Sequence, residues 1–472
     1  GGRRGFAGCG CWGPHTRLAV PGAQKPHMSE EPAYPSRAYA WFVVVLLTLA
    51  YAISLLDRWI LALLVGPVKE FFGATDTQMG LLMGPVFALF YVSMGLPFGW
   101  LADRYDRKTM IGGAMLFWCS MTAVCGLAKT FGQLAAARLG IGLGEAALTP
   151  AAYSLIADYF PRAEQNRAIA FLNMGVATGM GFAYLIGGLI VGWMMTQPPM
   201  VVPVLGHLEP WQVVFIAAGL PGIVVGIVVF FIREPVRRER LAATADAAST
   251  TEFFAYLKRH RAAYAPLMIG MVASPLVGYA LQWLPAMFDR VWGWNAPRFS
   301  FAYGWLLLVI GPLSAILGGS LSTRLYRRGR PDGPMTATLA ALVLMVVSTA
   351  MLPLAPTPEV ALLLLVPSCI GGAMSTACGA AAVVFMTPGE FRARVSSLYI
   401  LTINGFGMLL GPPIVGWLND HVFHGPQGIR FSVALVVAII GGVLTAYLST
   451  GRRAFGDSVR ALEAAQAARA AV

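Results

Sequence analysis

The chain has 472 residues, of which 57% are hydrophobic and only 12% are Asp, Glu, Lys or Arg, about half the roughly 25% charged share of soluble domains. With a net charge of +12, 53 glycines and 31 prolines but no Gly-X-Y period, this excludes a soluble enzyme, a disordered chain, a coiled coil and collagen. What fits is an all-α polytopic membrane protein, provided the apolar residues fall into runs of about 20.

They do. In chain order the predicted spans are 38–66, 77–101, 109–128, 132–157, 168–195, 211–232, 263–288, 300–322, 335–353, 360–386, 397–418 and 430–449. A chain in lipid must satisfy its own backbone, so these read as twelve transmembrane helices. Stretches such as Trp41 to Ala52 lack the alternation a β-barrel strand needs. Residues 1–36 read as a disordered cytoplasmic tail or an extraneous start. Met28-Ser-Glu-Glu resembles a natural beginning, and the stretch has no apolar core of a signal peptide. Cys9 and Cys11 have no nearby partner ligands. Cys119, Cys125, Cys369 and Cys378 lie in apolar spans as small hydrophobes.

The basic residues report orientation. Twenty-seven of the 34 Lys and Arg residues lie at the termini or in loops after even-numbered spans. Only Lys69, Lys129, Arg290, Arg298 and Arg430 occupy the opposite loops. By the positive-inside rule both termini face the cytoplasm of a cell (inner or plasma) membrane. Scattered short basic loops do not form a nucleic-acid surface.

The hydrophilic stretch 234–261 divides the spans six and six. The expected organisation is a bundle over 37–233, a cytoplasmic linker, a bundle over 262–453 and a cytoplasmic tail over 454–472. Within the linker, Thr251 to Lys258 reads as a short amphipathic helix on the membrane surface. The halves echo each other. Gly99-Trp-Leu-Ala-Asp103-Arg104-Tyr-Asp106-Arg107-Lys108 follows span 2, and Gly319-Ser-Leu-Ser-Thr323-Arg324-Leu-Tyr-Arg327-Arg328 follows span 8. Pro161 to Arg167 and Pro388 to Arg394 repeat after spans 4 and 10. Two repeats in the same orientation fit a transporter that rocks one half against the other around a midplane site.

The loop Gly99-x-Leu-Ala-Asp-Arg-x-x-Arg-Lys resembles the signature of the major facilitator superfamily, with Asp106 where that signature has glycine. The resemblance covers residues 38–453 and implies two pseudo-symmetric six-helix bundles. It also implies a gating role for Asp103, capping the start of span 11, and for Arg107, paired with a carboxylate such as Asp158. These contacts are expected to hold the cytoplasmic side closed and to break when it opens. Leu56-Asp57-Arg58-Trp59 in span 1, with Arg138-Leu-Gly-Ile-Gly142-Leu-Gly144-Glu145-Ala-Ala-Leu-Thr-Pro150 in span 4, resembles the spinster branch, carriers of lysolipids and sphingosine-1-phosphate. Similar Asp-Arg pairs occur in organic-anion carriers of the superfamily.

The residues point the same way. An ionised side chain at midplane costs about 2.5–3.5 kcal/mol on insertion scales, so it normally faces a cavity with a partner. Asp57, Arg58, Arg138 and Glu145 are the deep charges, and they sum to zero. Arg138 and Glu145 are seven apart, on nearly one helix face, with Gly142 leaving room between them. If span 1 lies beside span 4, Asp57 pairs with Arg138, or Arg58 with Glu145. Asp57 is expected to carry protons, assisted by Glu145, while Arg58 and Arg138 hold an anionic group by forked hydrogen bonds. Weaker candidates line the second half: Tyr279, Gln282 and Trp283 in span 7, Ser375 and Thr376 in span 10, and Asn404 in span 11. Glycines of span 5 (Gly175, Gly179, Gly187, Gly188, Gly192) and Gly405, Gly407, Gly411, Pro412 and Pro413 of span 11 are read as bends.

His207, His421 and His424 have no metal-ligand spacing, and no G-x-S-x-G occurs. The chain is therefore read as a monomeric secondary transporter, not an enzyme, with no cofactor or metal. Its expected partners are protons, membrane lipids and an amphipathic or anionic substrate: a lysophospholipid or sphingosine-1-phosphate, or alternatively a small organic anion or drug.

Overall fold

The computed structural model describes residues 34–202, 206–237 and 250–470. The tail calls on 1–33, including Cys9 and Cys11, lie outside them. Pro35–Val472 form one compact unit.

Among the described residues, twelve helices are long and apolar enough to cross a membrane. They are span 1 Arg37–Leu63, span 2 Asp76–Ala102, span 3 Arg107–Cys125, span 4 Phe131–Tyr159, span 5 Ala163–Met194 and span 6 Pro210–Phe230. Then follow span 7 Arg261–Trp292, span 8 Ala296–Arg327, span 9 Gly333–Leu354, span 10 Pro358–Met386, span 11 Arg394–His421 and span 12 Gly428–Thr450. Each matches an apolar run read from the sequence, because the lipid requirement is local to each segment. We call the end where span 1 begins and span 12 ends the terminal face, and the other end the distal face.

Several helix starts on the distal face carry their own caps. Thr75 and Thr130 form capping boxes with Gln78 and Gln133 at spans 2 and 4. Asn295 accepts from the Arg298 N–H, and Thr357 from the Val360 N–H, at spans 8 and 10. Each side chain satisfies a donor that a helix start leaves unpaired. Between spans 5 and 6 the distal loop forms a two-stranded hairpin, Met200–Val202 against Gly206–Leu208, which the all-helical reading did not anticipate.

Helix breaks fall elsewhere than in spans 5 and 11. Spans 5 and 11 lie within uninterrupted helices, Arg162–Met194 and Gly389–His421. Their glycines serve close packing: a Cβ on Gly181 would stand 2.9 Å from the Gly304 carbonyl of span 8. Three interruptions lie near prolines, at Gly84 in span 2, just beyond Glu145 in span 4, and at Leu281–Trp283 in span 7; others fall at Met94, at Met271–Val272 and at Val437–Gly441. Proline follows closely in each of the first three: Pro85, Pro150 and Pro285.

Two further helices lie at the terminal face. The linker helix Thr250–Arg259 docks on the protein: Tyr256 stacks on Phe391 at 4.9 Å, and its hydroxyl donates to the Met386 carbonyl at 3.3 Å. The expected tail is a helix, Arg452–Ala470, whose Phe455 and Val459 are buried. Each uses its apolar face on the second set of spans.

Candidate substrate and proton site

Span 1 brings Ser54, Asp57 and Arg58 to span 4. Arg58 Nη2 donates to Glu145 Oε2 at 2.6 Å, and Ser54 Oγ donates to the same oxygen at 2.8 Å. Of the two pairings open in the sequence, this is the one formed. Arg138 takes the backbone instead. Its Nη1 donates to the Asp57 carbonyl at 3.0 Å and its Nη2 to the Arg58 carbonyl at 3.5 Å.

The Asp57 side chain makes its hydrogen bonds elsewhere. Its Oδ2 accepts from the Trp118 indole N–H at 3.1 Å and lies 3.8 Å from Cys119 Sγ, both on span 3. Asp57 and Arg138 are fully buried, and Glu145 nearly so. Each also keeps a buried atom without a hydrogen-bond partner: Asp57 Oδ1, Arg138 Nε and Glu145 Oε1. The Arg58 Nε shares that state. Span 2 supplies aromatic faces to the cations. Arg58 lies over Phe87 at 4.8 Å and Tyr91 at 4.6 Å, and Arg138 over Phe87 at 5.6 Å. A guanidinium against an aromatic face stays charged at low desolvation cost.

The second set of spans meets this cluster through Tyr279, which stacks on Trp59 at 6.4 Å. The other candidates there are dispersed. Trp283 is fully buried and donates its indole N–H to the Pro412 carbonyl at 2.9 Å, fastening span 7 to span 11. Gln282 is fully buried with both amide atoms unpartnered. Ser375 bonds Ser274 at 2.8 Å. Thr376 is exposed and bonded to the Gly372 carbonyl, and Asn404 is half-buried with its amide on the Ile400 carbonyl.

At the terminal face Arg107 is buried and pairs with Asp158. Its Nε also donates to Glu234 Oε1 at 2.6 Å, and its Nη1 to Ser154 Oγ at 3.0 Å. All these partners belong to the first six spans or the connector just after them. Asp103 ends the helix Gly95–Ala102, and its carbonyl accepts from Arg237. Glu234 also accepts from the Lys108 N–H at 3.1 Å. Burial and the neighbouring Asp106 carboxyl push the Glu234 carboxyl up, against the pull of Arg107.

Close approaches between the two sets of spans lie in the distal halves of their helices. A Cβ on Gly80 would stand 2.6 Å from the Pro412 carbonyl, and one on Gly416 would stand 2.3 Å from that of Asp76. The Arg107–Asp158 pair, with Glu234 and Ser154, lies within the first six spans and their connector.

Sequence reasoning missed Ser54, Phe87, Tyr91 and Trp118. Ser54 lies one helical turn before Asp57, on the same face. The others are ordinary apolar-span residues until spans 2 and 3 are placed beside spans 1 and 4.

Twelve helices around a buried, charge-balanced cluster define a polytopic membrane carrier. The chain belongs to the major facilitator superfamily, whose family description, Major Facilitator Superfamily, matches residues 47–398. An MFS-type efflux pump of Mycolicibacterium smegmatis is 25% identical over 418 residues, covering 88% of this chain and 93% of that protein. The hexuronate transporter of Escherichia coli strain K12 is 24% identical over 432 residues, 86% of this chain and 92% of its own. Among solved structures, a bacterial homologue of the human lysosomal transporter Spinster, inward-facing and unoccupied, is 26% identical with a TM-score of 0.72. That match covers 90% of this chain and 95% of the other. The chain is a transporter that resembles the spinster branch, and not an enzyme.

Proposed function

We propose that the chain is a proton-coupled secondary transporter that moves an amphipathic anion by alternating access, with both termini in the cytoplasm of a cell membrane. The observation that carries this reading is the buried four-charge cluster on spans 1 and 4. Arg58 already holds one carboxylate oxygen, Glu145 Oε2, at 2.6 Å, so its environment suits an anionic headgroup. A headgroup that takes Arg58 releases Glu145, which then accepts a proton. Asp57, held only through Oδ2 by Trp118 and Cys119, is the main proton carrier. A carboxyl that passes between a dry, packed site and a wet cavity changes its proton affinity, which couples the proton to the conformational step.

Proposed further contacts are Arg138 through its unpartnered Nε, and Tyr279 at the aromatic wall, with Gln282, Ser375, Thr376 and Asn404 as second-half candidates. Trp283 supports the wall from behind, since its indole is committed to Pro412. Asp103, Arg107 and Asp158 shape the terminal-face gate by bracing the first six spans.

The class of anion is a lysolipid or sphingosine-1-phosphate type, supported by the likeness to the spinster homologue. A second reading, a small sugar-acid anion, is favoured by the hexuronate-transporter likeness. Counterflow in proteoliposomes loaded with lysophosphatidate or with glucuronate separates them. Asp57→Asn protein is expected to retain exchange but lose uphill transport driven by a pH gradient. Uphill transport at the wild-type level would sink the proton role.

A further inference from the structure

A cavity opens at the distal face, where the ends of spans 1, 5 and 7 meet the start of span 8. It holds about 330 Å³, at the small end of the roughly 300–1,000 Å³ of ligand pockets. Its floor is apolar and buried: Ala62, Leu63 and Val65 from span 1 and the turn after it, Val191 of span 5, and Pro285 and Ala286 of span 7. Its rim is exposed and carries Thr196, Asp289 and Asn295. None of the four cluster charges lines it. Two glycines shape it. A Cβ on Gly192 would stand 3.1 Å from the Pro297 ring, so spans 5 and 8 close tightly on one side. A Cβ on Gly66 would meet nothing within 4 Å, so the mouth stays open.

Asp289 is the one charged residue of this lining. Among the described residues its carboxylate has no ion-pair or hydrogen-bond partner. The neighbouring cations are committed elsewhere. Arg290 forks onto Asp76 at 2.6 and 2.9 Å, and Arg298 lies over the Trp294 ring at 4.1 Å. Asp289 also sits in the last turn of the helix Leu284–Trp292, an end that carries partial negative charge. The start of span 8 does little to balance it. Pro297 has no N–H, and the Asn295 side chain already accepts the Arg298 N–H at 3.1 Å.

We propose that this cavity binds a single-chain amphiphilic amine, with the ammonium on Asp289 and the hydrocarbon on the apolar floor. A phospholipid headgroup would bring a phosphate as well, and the lining offers no cation to receive it. An anionic amphiphile would meet Asp289 with like charge. The bound amine touches both sets of spans at once, so it favours the arrangement in which these four helices meet. It therefore acts as an inhibitor, at a site apart from the anion cluster.

Octylamine is the probe, with octanol and octanoate as neutral and anionic counterparts of the same chain length. At pH 7 the amine is protonated, as a lysine side chain is. Thermal unfolding of the full-length protein in lipid nanodiscs is followed against the concentration of each. Octylamine is expected to raise the midpoint saturably, and octanol only at concentrations roughly tenfold higher, the scale of one hydrogen bond to a charged group. Octanoate should not raise it. Asp289→Asn should erase the preference for the amine over the alcohol, and Asp289→Glu should keep it. Gly66→Leu fills the mouth and should weaken amine and alcohol alike, which keeps the test available if Asp289→Asn does not fold. In counterflow, the Asp289→Asn carrier should resist octylamine concentrations that halve the wild-type rate. Equal octylamine titrations for the wild type and Asp289→Asn would overturn the proposal. Binding is read without substrate, so a failed transport reading would leave the midpoint shifts standing.

Discussion

Arg138 differs from the other three charges in the cluster because it is bonded to backbone. Its two terminal nitrogens bridge the carbonyls of Asp57 and Arg58, fixing the height of span 1 against span 4. A lysine has one charged nitrogen and no fork. Arg138→Lys should therefore lose at least one bond and leave a buried carbonyl unpaired, costing about 1–3 kcal/mol. Thermal unfolding in detergent reads this, and an unchanged midpoint would deny Arg138 that positioning role. The choice of arginine was legible from the sequence, as was the set of four charges. Their pairing was not. Whether Asp57 met Arg138 or Trp118 depended on which way span 1 was rotated, and apolar spans carry no register signal for that.

At the scale of elements, the glycine between Arg138 and Glu145 has a clear job. A Cβ on Gly142 would stand 2.2 Å from the Phe87 carbonyl of span 2. Gly142→Ala must push spans 2 and 4 apart, an overpacking cost of about 1–3 kcal/mol. It should also loosen Phe87 from its place beneath Arg58 and Arg138. A circular-dichroism melt equal to that of the wild type would refute the tight approach. The C-terminal helix Arg452–Ala470 offers a pH test outside the membrane. Partial burial raises the Asp332 carboxyl, but bonds from Arg452, Thr336 and Arg330 outweigh it and hold it below its ordinary value. A lowered carboxyl contributes stability above its unfolded value, near 3.9, and loses it as pH falls through the folded one. Protection of the 452–470 amides, with exchange corrected for its intrinsic pH dependence, should therefore be full at pH 7 and fall below about pH 4. Asp332→Asn should quicken exchange at pH 7 and flatten the pH dependence. The helix itself was hidden in the sequence because its apolar face, Phe455 and Val459, is sparse without the second set of spans to receive it.

On the scale of the whole molecule, the ion pairs at the two faces differ in kind. The terminal-face network around Arg107 is internal to the first six spans and their connector. At the distal face the Arg290–Asp76 pair joins the two sets of spans. Arg107→Ala would leave Asp158 and Glu234 facing each other without their cation, so it should destabilise by about 3–5 kcal/mol. Thermal unfolding in detergent reads this, and a midpoint equal to that of the wild type would deny Arg107 the bracing role. The sequence by itself determined the twelve spans, the superfamily and the four buried charges. Each of these is a local property: apolar length against bilayer thickness, a loop motif, and the high cost of a charge in lipid. Packing alone settled that Glu145 meets Arg58, that Asp57 meets Trp118, and that Asp76 meets Arg290 and Asp420 across the two sets of spans. Those three stand at helix ends, where charge is cheap and unremarkable in a sequence, and where only the packing of one set of spans on the other gives it a partner.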